Sequence, residues 1–240
     1  MRHARRAIAA GFGVATVAGM LLAFGSVLAG AFGVTKSGSL FVPDKGSFKI
    51  LVNGQQMGKE EFEIAQDGDK WVAKGSSEVH SADGVTRVSG TLQLRPDGTP
   101  VNYEWTTQGV KKASATINFS GSMATIELRL EGRRPFTQQF TFGSAQIAVL
   151  DNNLYYQYAV LARMYDRDRK GTQNFPVLVP QELTPGNLTV ESLGEQSVGG
   201  GKKMEELVVK TEDFEVDLFL DGGKLMRIVA PSTNAEIDRL

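Results

Sequence analysis

Histidine is the side chain most often used for proton transfer near neutral pH, and this chain has two. His3 sits in the basic N-terminal tip, which leaves His80, beside Ser81 at the expected end of a strand. A Ser-His-Asp site would need a presented serine. The chain has no Gly-x-Ser-x-Gly elbow and no Ser-x-x-Lys pair to supply one. His80 therefore reads as a surface histidine, and no catalytic residue is assigned. One histidine in the body of the chain also cannot build a zinc site of two or three His ligands, and there is no cysteine to complete one.

Carboxylates offer little more. Asp67 and Asp69, or Asp166 and Asp168, have oxygen ligands at close spacing, but neither pair continues into a calcium loop. They read as turn and helix-end residues, and no metal ligand is assigned. Glu60-Glu61 and Glu205-Glu206 are adjacent on expected strands, so the members of each pair point to opposite faces. Neither is a glycosidase pair by itself. Gly199-Gly200-Gly201-Lys202 lacks the spacing and the Ser or Thr of a phosphate loop and reads as a hairpin connection. The sequence asks for no cofactor.

The aromatic residues are the remaining chemical feature. Tyr155, Tyr156, Tyr158 and Tyr165 cluster in one stretch, while Trp71, Tyr103 and Trp105 fall on expected strands. Two readings stand. Trp71, Tyr103, Trp105, Tyr155, Tyr158 and Tyr165 could line a site for an apolar or amphipathic ligand. Packing of a helix into a sheet would produce the same spacing.

The elements that must position these residues are mostly strands. Phe48, Ile50 and Val52 alternate ahead of Asn53-Gly54, a strong hairpin signal. Asp67-Gly68, Asp83-Gly84 and Pro96-Asp97-Gly98 punctuate the strands that follow. Ala113, Ala115, Ile117 and Phe119, then Ala124, Ile126, Leu128 and Leu130, alternate as half-buried antiparallel strands do. The pattern changes once. Leu154, Tyr158, Leu161 and Tyr165 fall at helical spacing, with Asp151 or Asn152 as the expected cap. A terminal meander follows through Leu207, Val216, Leu218 and Ile228. The expected fold is mainly β: about ten strands in a large curved antiparallel sheet or half-barrel, with one inserted α-helix.

Composition sets further bounds. Lys and Arg number 26 against 27 Asp and Glu; without Arg2, Arg5 and Arg6 the balance becomes 23 to 27. A mildly acidic domain is a poor nucleic-acid binder, and that class is excluded. Those three arginines precede an apolar run from Ile8 to Val34 whose polar side chains are Thr16 and Ser26. The run is long enough to span a bilayer as an N-terminal apolar helix, which takes roughly 20 residues. The arginines orient the rest of the chain outward. Val27-Leu28-Ala29 and Ala29-Gly30-Ala31 equally offer a signal-peptide exit. The expected organisation is a signal peptide or membrane anchor over 1–34, a linker over 35–45 and one exported β-rich domain over 46–240. Its location is the periplasm or the outer face of the inner membrane.

The opening Phe48-Lys49-Ile50-Leu51-Val52-Asn53-Gly54, continuing through Met57-Gly58, resembles the start of several uncharacterised exported bacterial β-rich families. The order of elements over residues 46–230 is similar to the lipoprotein-carrier, LolA-like architecture. That resemblance implies a half-barrel that wraps a helix and holds acyl chains, and it carries no site residue over. The leading expectation is a non-enzymatic envelope protein that binds a lipid or other apolar small molecule in its curved sheet. The alternatives are an assembly protein that binds another envelope protein, and a glycan hydrolase built on distant carboxylates. If the N-terminal segment is retained, the membrane is also a partner.

Overall fold

The computed structural model describes residues 38–109, 112–198 and 201–240. The expected N-terminal apolar helix, and Gly199 and Gly200 of the glycine-rich connection, lie outside the described residues. No helix among the described residues is long and apolar enough to cross a membrane.

Fifteen strands among the described residues form one sheet. The first eight are β1 (Asp44–Val52), β2 (Gln55–Asp67), β3 (Lys70–Ser81), β4 (Gly84–Leu94), β5 (Pro100–Gln108), β6 (Ala113–Ser120), β7 (Met123–Leu130) and β8 (Phe136–Thr141). Then come β9 (Ala148–Val149), α1 (Tyr156–Met164), β10 (Gln173–Val179) and β11 (Thr184–Ser197). The chain ends in β12 (Lys203–Lys210), β13 (Glu215–Asp221), β14 (Lys224–Ala230) and β15 (Ala235–Arg239). The spatial order is β8 through β1, then β15 back through β9. Every pairing is antiparallel except the short parallel one between β9 and β10.

The sequence pattern accounts for most of this. Asn53 and Gly54 both take positive φ, 51° and 75°. That is the backbone of a two-residue hairpin turn whose twist matches the strands it joins. It sets the pairing Val52↔Gln55. The expectation of about ten strands falls short because β9 has two residues, β15 has five, and β11 is long but mostly polar. In β11 only Leu188 and Val190 are buried, so alternation there is too sparse to register.

The first and last strands meet in the middle of the sheet, where β1 pairs with β15. The two sheet edges, β8 and β9, are consecutive in sequence and joined by residues 142–147. Seven steps separate Thr141 from Ala148, and at about 3.6 Å each they reach at most roughly 25 Å. A sheet whose edges lie that close must curl almost to closure.

The concave side is filled. Phe48 and Phe62 stack with ring centroids 4.9 Å apart, and α1 lies against β3 on one side and β14 on the other. Tyr156 through Ala162 and Met164 are all buried, so the helix is enclosed rather than amphipathic on a surface.

Candidate functional site

The helix is gripped at both ends by groups from distant parts of the chain. At its N-terminus the carboxyl of Glu60, on β2, accepts the backbone N–H groups of Tyr155 (2.9 Å) and Tyr156 (3.3 Å). These are first-turn donors that a helix cannot satisfy itself. The expected caps, Asp151 and Asn152, do not fill this role. Asp151 instead accepts the Tyr103 hydroxyl at 2.8 Å and the Gln181 N–H at 2.8 Å. Its own N–H donates to Gln157 Oε1. Asn152 donates to Glu182. The correction has a simple cause: the helix starts at Tyr156, one turn beyond the position those residues could cap.

Room for this end of the helix comes from two glycines paired across β3 and β4, Gly75↔Gly90. A Cβ on Gly75 would stand 2.4 Å from the Tyr156 ring and 2.7 Å from Glu60 Oε1. One on Gly90 would stand 2.7 Å from the Tyr103 hydroxyl and 2.8 Å from Leu154. The pair forms a dent in the sheet that accepts those rings.

Both carboxyls are displaced upward. Burial raises Glu60 to about 8 against the two backbone hydrogen bonds, which pull the other way. Burial likewise raises Asp151 to about 7, opposed by the Gln181 N–H and the Tyr103 hydroxyl. Two raised carboxyls would suit acid–base work in a cleft. Here Glu60 is 0% exposed, and each carboxyl is spent on holding the helix and its approach.

At the other end, Arg167 caps the helix with a cation. Its Nη1 donates to the carbonyls of Ala162 and Tyr165, while Nε and Nη2 form a forked pair with Glu205. Beside it opens a cleft of about 430 Å3. Leu40, Met164 and Phe175 supply apolar walls; Arg163, Arg167 and Arg169 supply charge; Asp166, Asp168 and Gln173 complete the polar side. Asp166 braces its own loop by accepting the N–H groups of Asp168 and Arg169. The volume falls in the range of small-molecule sites.

Arg163 belongs to a second cluster. Asp44, on β1, receives Arg239 from β15 at 2.7 Å and Arg163 from α1 at 3.4 Å. One nearly enclosed carboxylate thus faces two guanidinium groups. Arg239 takes the shorter contacts, adds bonds to the carbonyls of Lys45 and Leu225, and lies over the Phe62 ring. Arg163 Nε is enclosed and has no hydrogen-bond partner.

Of the six aromatic residues expected to bind ligand, Tyr165 lines the cleft. Trp71, Tyr103, Trp105, Tyr155 and Tyr158 are buried in the core cluster. The structure brings Tyr103 to the helix N-terminus through Asp151 and sets Trp71 against Phe41. It does not gather the six around one opening. Glu60 and Glu61 do point to opposite faces, inward and outward. His80 is exposed and pairs with Glu78. No group of three metal-ligating side chains occurs among the described residues. The cleft residues Arg163 and Met164 were missed, although a lone arginine within Tyr158–Met164, an otherwise apolar stretch, is a readable signal.

No family model matches the chain, and no curated protein matches it. Among solved structures it is similar to a β-barrel-like protein of the domain of unknown function DUF1849 from Brucella abortus. The TM-score is 0.56 at 10% identity, over 84% of this chain and 97% of that one. It is also similar to a DUF1089 family protein from Pseudomonas aeruginosa, with a TM-score of 0.46 at 10% identity, over 87% and 98%. At such identity the first likeness speaks to fold alone: the chain has the barrel-like fold of an uncharacterised β-rich protein.

Proposed function

We propose that this is an exported, non-enzymatic protein of the cell envelope that binds an apolar or amphipathic molecule at the C-terminal end of α1. The observation that carries this is the 430 Å3 cleft, with apolar walls from Leu40, Met164 and Phe175 and charge at one side. The concave face itself is occupied by α1 and the buried rings. Export rests on Arg2, Arg5 and Arg6 ahead of the apolar run.

The test is native mass spectrometry with solvent extraction on the full chain, made with its own N-terminus in a bacterial host. A stoichiometric lipid that co-purifies is the expected result. A clean apo mass, with no uptake from added envelope lipid, overturns it.

One observation favours a second reading, an assembly role. Strand β8 is an unpaired edge exposed along most of its length, with Phe136 outermost, and such an edge can accept a strand from another protein. A proline at Thr137 would abolish capture of an envelope partner on that reading and leave lipid content unchanged.

A further inference from the structure

Leu40 donates its N–H to the Pro96 carbonyl at 2.9 Å, and the Phe41 ring is buried against Trp71 with centroids 5.8 Å apart. The entry segment is therefore pinned to the barrel at the cleft wall, with Leu40 37% and Val42 53% exposed beside it. Six steps separate Leu40 from Val34, the last residue of the apolar run. They span at most about 22 Å. If residues 8–34 sit in a bilayer, Leu40 at the cleft wall lies within that reach of it.

The cleft's polar end has the chemistry of an anion seat. Arg163 lines the cleft, is 10% exposed, and holds a single shared carboxylate at 3.4 Å, while its Nε is turned into the packed interior. Asp44 is already committed to Arg239 at 2.7 Å, and Glu205 is committed to Arg167. A guanidinium at the wall of a largely enclosed site favours a carboxylate or phosphate oxygen over a neutral group. Met164, on the next residue of the helix, and Leu40 begin the apolar wall immediately beside it; both stand within contact range of a Cβ built at Gly98.

We propose that the cleft selects an acyl chain bearing an anionic head, seating the head on Arg163 and the chain along Leu40, Met164 and Phe175. This rests on the ligand-binding reading above and adds the class and orientation of the ligand.

The experiment uses the full chain in phosphatidylcholine nanodiscs with two photoreactive probes. One is laurate with a diazirine near its tail, and the other is dodecanol with the same diazirine. Labelling is mapped by peptide mass spectrometry. Laurate should label the Leu40, Met164 or Phe175 peptides about tenfold or more above dodecanol, the worth of one charge-assisted hydrogen bond. Arg163→Gln should remove that preference. Leu40→Trp, a change at a partly exposed wall, should reduce labelling by both probes, and it decides the matter if Arg163→Gln fails to fold. Equal labelling by the two probes overturns the anionic head and leaves ligand binding intact. No labelling in the cleft by either overturns both. Loss of laurate labelling in excess inorganic phosphate, with no change in that labelling in Leu40→Trp, marks a free-anion site and overturns the acyl ligand.

Discussion

At Glu60 a carboxyl group meets opposing demands: two helix N–H groups favour its charge, and complete burial opposes it more strongly. An acid whose folded pKa is raised stabilises the fold at low pH and loses that contribution as pH climbs through the folded value. For Glu60 the loss runs from about 4.5 to about 8; Asp151 adds a parallel loss from 3.8 to about 7. The amide in Glu60→Gln keeps an acceptor for the N–H groups and cannot ionise. Its melting temperature relative to the native chain should rise steadily between pH 5 and pH 9, by the equivalent of a few kcal/mol. Parallel pH profiles would refute this. Arg239 poses the reverse case, because its removal strands a buried anion beside Arg163 alone. Arg239→Ala should cost on the order of 3 kcal/mol in urea unfolding, and a loss near zero would mean that Arg163 replaces it.

Among the elements, α1 depends on two backbone positions that no side chain occupies. Gly75→Ala and Gly90→Ala each push a methyl into Tyr156 or Tyr103 and should each destabilise by about 1–3 kcal/mol. Because the two dents seat one helix end, the double variant should cost less than the sum; strict additivity in denaturant titrations would break that link. The strands were legible where alternation is dense: β6 and β7 follow from Ala113–Leu130 almost residue by residue. β11 was not, since its inward positions beyond Leu188 and Val190 carry little apolar area. The helix was legible from Leu154, Tyr158, Leu161 and Tyr165, but its cap was not. That carboxyl comes from Glu60, 95 positions upstream of Tyr155, and local sequence carries no trace of such a contact. The cleft was hidden for the same reason: Leu40, Arg163 and Phe175 meet only after the sheet has curled.

For the whole molecule, the arrangement of strands is unusual: edges adjacent in sequence, first and last strands adjacent in space. Leu240 donates its N–H to the Ser47 carbonyl. A permutant that joins Leu240 to Gly38 by a short linker and opens the chain at Ser144 should keep a single cooperative unfolding transition. A broad, non-cooperative melt would show that the 142–147 connection holds the curl. The meeting of β1 and β15 also orders events in time. Each arm, β1 to β8 and β9 to β15, is a chain of neighbours that can pair soon after synthesis. Ile50, by contrast, waits for Ile237, 187 positions later. Non-local closure of this kind is slow. Until it occurs, β1 is an open edge able to recruit another chain. Strand β15 is what seals it, so a chain released just short of Ala235 would carry both arms and no clasp, a form prone to join its own kind.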